Sequence, residues 1–511
     1  MTKESEHKIL IVGAGPTGLV LALELARRDI PFRIIEAKSG PGQASRAIAV
    51  HARTLEFYQQ LGIADEVVAQ GIKGEHLHMR EHGKDMVQLD LKDVGQGISP
   101  FPFVLTYPQD DHERFLVSKL TELNIHIEWN TELIQMIQSE YGVTTTLKTV
   151  AGEEMFEASY VAGCDGARSR VREELKMEFA GGTDPHLFYV ADVKIDSEFE
   201  KDIIVNLESH TLELMFPVRR SGMQRLIGIV SDEVSTKKDL NFEDVRCKAE
   251  ALLGVRVIEV NWFSTYHVHH RVAPHFRVGR CFILGDAAHI HSPVGGQGMN
   301  TGIGDAVNLA WKLAAVIKRR AAEAILDTYE AERIVFARSL VATTDKAFQF
   351  IVNQRYGNHF LRMWLFPHFL KFATSFATVR KLFFRRLSQV LIDYRMSALS
   401  EGNAGQVSGG DRLPWVPIGE TDNFAPLRSL CWQVHIYGKT DIKFMGELTG
   451  LNIEQHEFEW TPLAKRAGLA RDAVYLIRPD GYVALASSTQ DIELLLAYTK
   501  KFAIDFSSCD K

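Results

Sequence analysis

Residues 9–36 of the chain read ILIVGAGPTGLVLALELARRDIPFRIIE, and this stretch decides the fold of the N-terminal part. A short run of β-type apolar residues leads into three glycines, and residues 19–28 after them are typical of a helix. A second apolar run, residues 32–35, ends on Glu36. The order strand, glycine turn, helix, strand predicts a βαβ unit at the start of an α/β fold.

The three glycines have the spacing of a dinucleotide-binding turn, Gly13-x-Gly15-x-x-Gly18. Gly13 allows the tight turn, Gly15 lets a pyrophosphate approach the backbone, and Gly18 lets the helix pack close to the strand. The N-terminus of that helix offers unpaired N–H groups to phosphates. Glu36 provides a carboxylate for ribose hydroxyls. The motif predicts a bound dinucleotide but does not separate NAD from FAD.

A second glycine-rich segment, GDAAHIHSPVGGQGMN at residues 285–300, follows the apolar run at residues 281–284. The run predicts a buried strand that ends near Asp286, and the residues from about 300 to 319 predict a long helix. Glycines permit a flat ring to lie against the main chain. The positive end of the helix dipole then favours a ring that carries negative charge, as reduced flavin does.

A third motif, GCDGARSRVR at residues 163–172, places Asp165 after a short buried strand and three arginines at the start of a helix. Cations at a helix N-terminus oppose the helix dipole, so they need an anionic partner. A pyrophosphate, from FAD or from a nicotinamide cofactor, is the predicted partner.

Length, charge and patterning exclude several classes of protein. At 511 residues the chain is too long for one core, so we expect about three domains. The net charge of −7 argues against a nucleic-acid partner. Residues 1–8 are polar and charged, which predicts a cytoplasmic protein without a signal peptide. The apolar stretch at residues 363–384 contains charges and a proline, and falls short of the roughly 18 uninterrupted apolar residues of a membrane span.

The cysteines give no sign of a metal or redox site. They are scattered and never spaced as Cys-x-x-Cys, which predicts buried reduced thiols and neither a disulfide framework nor a zinc site. We therefore expect no bound metal. The five residues are Cys164, Cys247, Cys281, Cys431 and Cys509.

The three motifs, in this order and spacing, resemble those of the single-component FAD-dependent aromatic hydroxylases typified by para-hydroxybenzoate hydroxylase. The resemblance covers about residues 8–345. Sequence around residues 411–414 (DRLP) and 478–483 (RPDGYV) is similar to that of the phenol hydroxylases and polyketide hydroxylases, which carry an additional C-terminal thioredoxin-like domain. The expected fold is α/β (α+β): a Rossmann-like FAD-binding domain, an inserted β-sheet substrate domain and a thioredoxin-like domain.

This resemblance, together with the patterning, predicts the domain boundaries. Residues 1–185 and 267–345 are assigned to the FAD-binding domain, with residues 72–106 joining the middle sheet. Residues 186–266, which are rich in alternating strands, are assigned to the substrate domain. Residues 346–400 are assigned to a helical connector and residues 401–511 to the thioredoxin-like domain, with the glycine-rich stretch 401–410 as a linker.

The resemblance also implies which residues hold FAD non-covalently. Gly13, Gly15, Gly18 and Glu36 would hold the AMP half, Arg46 and Gln109 would lie near the pyrophosphate and the ribityl chain, and Asp286 would bind the ribityl hydroxyls. Asp165 matches a segment that serves both FAD and NAD(P)H. The full set is Gly13, Gly15, Pro16, Thr17, Gly18, Glu36, Arg46, Gln109, Asp165, Asp286, Pro293, Gly296, Gly298, Met299 and Asn300.

The activity implied by the resemblance is hydroxylation of a phenolic or polyketide-like aromatic small molecule. NADPH or NADH would reduce FAD, and reduced flavin would react with O2 to give a flavin hydroperoxide whose terminal oxygen is transferred. Strands carrying Phe216 and Pro217 should form an apolar pocket wall. Tyr189, Tyr266, His267 and His269 lie on strands that face the pocket or its back, and no residue declares itself as a catalytic base.

Alternative functions use the same motifs. They are a flavin oxidoreductase that inserts no oxygen, an epoxidase or ring-expanding monooxygenase, and a flavin-binding sensor without turnover. The sequence also leaves open whether the protein forms a homodimer. The aromatic residues between 345 and 393 favour a buried interface over a membrane-surface contact.

Overall fold

The computed structural model describes residues 8–42, 47–81, 83–196, 199, 201–208, 211–219, 222–292, 294–352 and 377–506. Arg46, Pro293 and most of the aromatic stretch 345–393 fall outside these residues or among side chains that are not described.

The chain opens with the predicted βαβ unit: β1 (Ile9–Val12), α1 (Pro16–Ala26) and β2 (Phe32–Glu36). The two strands pair in parallel, and both lie in a sheet whose core residues are fully buried. Helix α1 begins at Pro16. Proline is tolerated at the first helical position, because an N–H at that position would have no partner within the helix.

Fourteen further elements follow this unit among the described residues up to residue 180. In chain order they are β3 (Ala49–Val50), α2 (Ala52–Leu61), α3 (Ala64–Gln70), β4 (Ile72–Lys73), β5 (His76–Glu81), β6 (Lys84–Asp90), β7 (Leu105–Thr106), α4 (Gln109–Glu122), β8 (Glu128–Trp129), β9 (Glu132–Gln138), β10 (Val143–Thr149), β11 (Gly152–Ala158), β12 (Tyr160–Gly163) and α5 (Arg170–Glu174).

The middle of the chain supplies the longest strands and helices. These elements are β13 (Gly181–Ile195), β14 (Ile203–Glu208), β15 (Thr211–Arg219), β16 (Met223–Ile229), α6 (Asp232–Ser235), α7 (Glu243–Leu253), β17 (Val257–Val272), β18 (Arg277–Val278), β19 (Cys281–Ile283), β20 (His289–Ile290), α8 (Gly298–Ile317), α9 (Asp327–Val352) and α10 (Ala377–Leu387), with 3-10 helices at Gly285–Ala287, Val294–Gly296 and Glu323–Leu326.

The C-terminal part forms a separate sheet with helices. Its elements are β21 (Glu401–Ala404), β22 (Val407–Ser408), β23 (Pro417–Ile418), β24 (Thr421–Asp422), a 3-10 helix at Ala425–Ser429, β25 (Gln433–Tyr437), α11 (Ile442–Gly450), β26 (Glu454–Phe458), α12 (Pro462–Arg466), β27 (Val474–Ile477), β28 (Val483–Ser487) and α13 (Ile492–Phe502).

Three sheets of six or more strands organise the molecule. The first sheet has the order β18-β19-β12-β1-β2-β8, and its strand β12 pairs with β1 in parallel. The large sheet has the order β20-β17-β13-β16-β15-β14-β5-β6. Strands β5 and β6, from residues 76–90, therefore extend a sheet whose other strands begin at residue 181. The C-terminal sheet has the order β22-β21-β28-β27-β25-β26. The mixed α/β architecture with a Rossmann-like N-terminal unit agrees with the fold class expected from the sequence.

Two local predictions from the sequence are wrong. Residues 401–410 are not a linker, because β21 pairs in parallel with β28 and becomes part of the C-terminal sheet. The glycines there serve close packing: a Cβ on Gly402 would lie 2.3 Å from the carbonyl oxygen of Ala486. The apolar positions Ala47, Leu55 and Leu61 also predict a helix over residues 45–62, but the helix begins only at Ala52, because residues 49–50 pair with β7 as a strand.

The cysteine prediction holds only in part. Cys164 and Cys281 are buried and free, as expected for reduced core thiols. Cys247 is free but exposed, and Cys431 is disulfide-bonded, so the prediction of buried reduced thiols is wrong for these two residues. No helix among the described residues is both long and apolar enough to cross a membrane.

A network of buried charged side chains joins the C-terminal sheet to helices α8 and α9. Arg478, at the end of β27, donates to both carboxylate oxygens of Glu332 on α9, at 2.8 and 3.0 Å. Lys312 on α8 donates to the same carboxylate at 2.8 Å. Asp480 accepts from Arg478 and from the indole N–H of Trp311. Burial alone would raise the pKa of Glu332, but Arg478 and Lys312 hold it below its usual range.

We expect Glu332→Gln to destabilise the protein by about 3 kcal/mol or more, because it leaves two buried cations short of one counter-charge. The measurement is the thermal unfolding midpoint of the FAD-loaded protein. Glu447→Gln is the control, since Glu447 pairs with the exposed side chain of Lys443 and that pair should contribute little. Equal midpoints for the two variants would contradict the assigned role of Glu332.

Candidate active site

The glycine turn after β1 is closed at two positions and open at the third. Gly13 has φ +106°, and a Cβ there would lie 2.4 Å from the carbonyl oxygen of Cys164. A Cβ on Gly18 would lie 2.0 Å from the carbonyl oxygen of Gly13. Around Gly15 no heavy atom of the described residues lies within 4 Å of the Cβ position. The backbone is therefore tightly packed at Gly13 and Gly18, whereas the space next to Gly15 is open.

The N-terminus of α1 borders this open space. Its N-cap residue, Gly15, makes no side-chain capping bond, and Pro16 and Thr17 form the start of the first turn. The free N–H groups and the positive end of the dipole of an eleven-residue helix suit a phosphate. Thr17 faces the other glycine-rich segment, because its Oγ1 lies 2.6 Å from the Cβ position of Gly285.

Glu36 lies at the end of β2 beside the same turn. Its Oε2 accepts a hydrogen bond from the N–H of Ala14 at 2.8 Å, and its Oε1 accepts from the N–H of Lys38 at 3.1 Å. These bonds hold a half-buried carboxylate next to the turn. A carboxylate in this place can accept hydrogen bonds from the hydroxyls of a ribose.

Asp165 follows β12 and lies against the first glycine of the turn, where its Cα would be 2.9 Å from a Cβ on Gly13. Its Oδ2 accepts from the N–H of Val171 at 3.1 Å. Its Oδ1 is buried and has no hydrogen-bond partner among the described residues. Burial raises the pKa of this carboxyl. A buried acceptor without a partner is the feature expected where a polar ligand is bound.

Two of the three arginines after Asp165 have partners within the chain. Arg172 donates to the carbonyl oxygens of Ala287 and Ala167, both at 2.8 Å. Arg170 donates to the carbonyl oxygen of Ile134 and pairs with Glu174. Arg170 therefore has a counter-charge within the chain, whereas the partners of Arg172 are neutral carbonyl groups. The anionic partner expected for this segment stays a prediction.

The second glycine-rich segment bends sharply on both sides of β20. Gly285, Gly295 and Gly296 have φ values of +58°, +80° and +61°, which side chains rarely adopt. Asp286 is exposed at the end of the first bend, in the 3-10 helix that follows β19. Gly298 and Met299 begin α8, so the N–H groups of that helix face the second bend. These positions agree with a backbone surface that can lie along a flat ring.

Asn300 connects this segment to the start of α2. Its Oδ1 accepts from the N–H of His51 and the hydroxyl of Thr54, at 2.9 and 2.8 Å. Its Nδ2 donates to the carbonyl oxygens of Ala49 and Gly296, both at 2.9 Å. The side chain is thus buried and fully used within the protein, so any contact of Asn300 with a cofactor would come from its backbone.

Asp305, in the middle of α8, supports the first bend from below and was missed in the sequence. Its Oδ2 accepts from the N–H of Gly285 at 3.0 Å and contacts Nε2 of His289 at 2.7 Å. Its Oδ1 accepts from Arg333 on α9 at 2.6 Å. Burial alone would raise the pKa of Asp305, but Arg333 and His289 hold it below its usual value. The signal available in the sequence was a lone acid within an apolar helix.

Gln109 begins α4, and its position depends on a second buried acid. Its side chain donates to Oε1 of Glu113 at 2.7 Å, and its backbone N–H donates to Ala47 at 3.0 Å. Oε2 of Glu113 accepts from the N–H of Gly42 at 2.8 Å. Glu113 therefore connects α4 to the segment that leads toward residue 46.

One face of the large sheet is turned toward this region. Asp192 on β13 pairs with Arg225 on β16 through two bonds of 2.7 and 2.9 Å, and Arg225 also donates to the carbonyl oxygen of Ala47. We call this the flavin-side face. By strand alternation and register most of its other members are apolar or aromatic, and Ser264 is a polar member. They include Phe188, Val190, Leu214, Phe216, Ile227, Ile229 and Tyr266.

The opposite face packs under α7, and two of the aromatic candidates from the sequence divide between the faces. Tyr189 lies on the α7 side, where its hydroxyl donates to Glu213 at 2.6 Å. Burial raises the pKa of Glu213 to about 8. Tyr266 packs on Phe188 on the flavin-side face, with ring centroids 5.7 Å apart. His267 is exposed and contacts the carbonyl oxygen of His186.

Comparison with known proteins agrees with this geometry. A model of the FAD binding domain matches residues 6–344. The chain is 38% identical over 348 residues to 6-methylpretetramide 4-monooxygenase of Streptomyces rimosus, a match that covers 66% of this chain and 61% of that enzyme. It is 30% identical over 423 residues to pentachlorophenol 4-monooxygenase of Sphingobium chlorophenolicum, covering 81% of this chain and 76% of that enzyme.

A solved structure extends the similarity over nearly the whole chain. The anhydrotetracycline hydroxylase from Streptomyces rimosus has a TM-score of 0.78 and 26% identity, and the alignment covers 98% of this chain and 99% of that one. The chain therefore belongs to the family of FAD-dependent aromatic monooxygenases typified by para-hydroxybenzoate hydroxylase, and FAD is its cofactor. The identification of FAD from the three motifs is confirmed.

Alanine substitutions in the glycine turn should separate cofactor binding from folding. We expect Gly15→Ala to leave the thermal midpoint of the FAD-free protein unchanged and to weaken FAD binding at least about tenfold, since its methyl group enters the open space. Gly18→Ala should lower the midpoint of the FAD-free protein, because its methyl group meets the backbone of Gly13.

The control is Gly446→Ala, an exposed helical position with no atom near its Cβ. FAD affinity is measured by fluorescence titration of the apoprotein. Unchanged FAD affinity in Gly15→Ala would contradict the proposed place of the phosphates.

Stability should fall as the pH is lowered from about 6.5 to about 4. Burial lowers the pKa of His51 to about 4 and that of His112 to about 3. Histidines in the unfolded chain protonate near pH 6.5, so in this window the unfolded state binds protons that the folded state does not. His51→Gln should flatten the pH dependence of the thermal midpoint, whereas His275→Gln, at an exposed site, should not. Equal pH dependence in both variants would contradict the assignment to His51.

Proposed function

We propose that this protein is an NAD(P)H- and O2-dependent monooxygenase that hydroxylates a phenolic, multi-ring small molecule. The observation that carries the proposal is the flavin-side face: a mostly apolar and aromatic surface with a buried Asp192–Arg225 pair, whose arginine donates to the backbone of Ala47. An apolar wall with few polar groups is typical of a site for a small aromatic molecule. Among the relatives, one is named for a chlorinated phenol and another for an anhydrotetracycline.

The residues at the turn and the bends fit FAD. Gly15 leaves room for a pyrophosphate, Glu36 presents a carboxylate to a ribose, and Asp165 has an acceptor atom without a partner. We propose that they hold the nucleotide half and that the exposed Asp286 binds the ribityl chain. Pro16, Thr17, Gln109, Gly296, Gly298, Met299 and the backbone of Asn300 stay predicted contacts, as do Arg46 and Pro293 outside the described residues.

When bound, FAD supplies the hydride acceptor and the oxygen chemistry. The chain holds the cofactor and the substrate in position and keeps water away from the substrate ring. Arg333 and Asp305 fix the first bend, and Asn300 fixes the second against α2. The apolar side chains of the flavin-side face exclude water from the ring of the substrate. Glu213 and Tyr189 lie behind the sheet, so we assign neither to proton transfer with the substrate, and we name no catalytic base.

The domain division is also a proposal: residues 1–185 and 267–345 bind FAD, residues 186–266 form the substrate sheet, and residues 346–400 connect to the C-terminal domain. We propose a thioredoxin-like fold for residues 401–511. Support comes from the order β28-β27-β25-β26, in which β25 and β26 are parallel and joined through α11, and β27 and β28 follow as an antiparallel pair before α13. A homodimer and a cytoplasmic location remain predictions.

Labelled dioxygen tests the reaction. We expect NAD(P)H oxidation by the FAD-loaded protein to be accelerated by phenols or phenolic polyketides, with one oxygen-18 atom per product from ¹⁸O2. Catalase and a peroxide assay separate hydroxylation from uncoupled oxidation. A product without the label would contradict oxygen insertion and favour a plain oxidoreductase. A labelled epoxide or ring-expanded product would favour the corresponding alternative.

Two matched variants test where the substrate pocket lies. Ile227 lies on the flavin-side face, and Leu226 is its neighbour on the α7 side of the same strand. Both truncations to alanine remove core contacts and should lower the thermal midpoint. Only Ile227→Ala should raise the fraction of NAD(P)H consumed without product, because only that change admits water or loosens the substrate. Equal uncoupling in both variants would contradict the placement of the pocket.

A further inference from the structure

Two histidines and an aspartate meet at the edge of the large sheet, on the side turned away from the flavin-side face. His76 and His78 are two residues apart on β5, so their side chains lie on one face of the strand. The parallel pairing of β5 with β14 matches Leu77 with Ile203, which places Asp202 beside His76. Ile204, the neighbour of His78 across the same pair, belongs to the core under α7.

The donor atoms of these three residues are close enough to share one ion. Nδ1 of His76 lies 3.0 Å from Oδ1 of Asp202, and Nε2 of His78 lies 3.2 Å from Oδ2 of the same carboxylate. All three donor atoms lie within 4.8 Å of one another. Ligand atoms around a tetrahedral zinc ion, each about 2.0–2.2 Å from the metal, have separations of this order.

His78 is held by a second carboxylate at its other nitrogen. Its Nδ1 contacts Oδ2 of Asp85 at 2.8 Å, and Asp85 is held in turn by Arg80 at 2.6 Å. Phe199 packs against the ring of His78, with centroids 5.5 Å apart. The side chain of His78 is only 6% exposed. A ligating histidine whose second nitrogen meets a carboxylate is the usual support of a protein metal site.

Carboxylates lie on both sides of the His78 ring. Its Nδ1 faces an oxygen of Asp85, and its Nε2 faces an oxygen of Asp202. A cation bound at Nε2 would therefore have a negatively charged ligand beside it. The neighbouring Glu75 does not compete, because it is paired with Lys92 and Lys201.

We propose that His76, His78 and Asp202 bind a divalent transition-metal ion of the Zn²⁺ class, with Asp85 orienting His78 from behind. Two imidazole nitrogens and one carboxylate oxygen form a ligand set that Zn²⁺ prefers, with a fourth position for water. The 31% exposure of the His76 side chain leaves that position open to solvent. The expectation of no metal rested on the cysteines, and this site contains none.

The ion would connect the β5–β6 hairpin to the strand that begins after Asp202. The hairpin comes from residues 76–90, whereas most of the large sheet comes from residues 181–272, so the two segments are far apart in the chain. A shared ion would restrict the motion of these two segments at the sheet edge. Because the metal would bind only the folded state, it would raise the free energy of unfolding. The site lies on the α7 side of the sheet and takes no part in the flavin chemistry proposed above.

The test uses the full-length, FAD-loaded protein after treatment with EDTA and dialysis. Zn²⁺ is titrated against a competing chelator, so that weak surface histidines do not register. We expect about one Zn²⁺ per chain and a rise of the thermal midpoint on addition of Zn²⁺. Co²⁺ should give visible absorption bands of a tetrahedral site at wavelengths longer than the flavin absorption.

Three variants separate a metal site from a cluster of ion pairs. Asp202→Asn removes a ligand and should abolish both the tight binding and the Zn²⁺-dependent rise of the midpoint. Asp85→Asn keeps all three ligands and should weaken Zn²⁺ binding by roughly 10- to 100-fold. The control is His186→Gln, which breaks another His–Asp pair at 2.6 Å that belongs to no such cluster in the part of the chain that the structure describes. This variant should bind Zn²⁺ as the unaltered protein does.

Each result decides the proposal. Absence of competitive Zn²⁺ binding in the unaltered protein would overturn it and leave a cluster of His–Asp contacts. Binding that survives Asp202→Asn unchanged would overturn the assigned ligands. If Asp202→Asn fails to retain FAD, the stoichiometry and the Co²⁺ spectrum of the unaltered protein decide instead, because neither measurement needs a variant.

Discussion

The carboxylate of Asp305 is the interaction on which the candidate site depends. It lies in the middle of the buried helix α8 and accepts from the backbone of Gly285, from His289 and from Arg333. A buried charge without partners would cost several kcal/mol, so the three donors and the acid must keep their places together. The first glycine bend therefore takes its shape from a helix that begins thirteen residues after it (Gly298 against Gly285). Arg333 extends the constraint to Tyr394 and to the carbonyl oxygen of Thr301.

Two adjacent residues of α9 relate this site to the C-terminal sheet. Arg333 binds Asp305 under the glycine bend, whereas Glu332 binds Lys312 of α8 and Arg478 of the C-terminal sheet. Both side chains are buried, so a shift of α9 would disturb both ion pairs at once. The C-terminal sheet thus stabilises the position of the helices that carry the bend, although none of the predicted cofactor residues belongs to it.

The parts that could be predicted from the sequence are those whose cause is local. The turn at Gly13 and Gly18 requires glycine because of backbone atoms nearby in the βαβ unit, and the same cause gives the motif its fixed spacing. The resemblance to a known family narrowed the predicted dinucleotide to FAD. The failures have causes far away in the chain. Residues 401–410 look like a linker until β28 pairs with them, and residues 49–50 look helical until β7 pairs with them. Asp305, Arg333 and Glu332 have no motif, because their partners lie on other elements.

The arrangement of buried charges also explains why the C-terminal sheet docks in one orientation. Buried ion pairs contribute little net stability, because desolvation offsets most of the attraction. Their effect is on the alternatives: any other docking of the sheet would break the Arg478–Glu332 pair and leave buried hydrogen-bonding groups of both side chains unused. Arg412 repeats the argument at a second point, where it donates to Glu56 on α2. Apolar packing supplies the free energy of the contact, and the charged residues select its geometry. The same reasoning applies to Asp305, since directional bonds fix the shape of the glycine bend more closely than apolar contacts, which tolerate sliding.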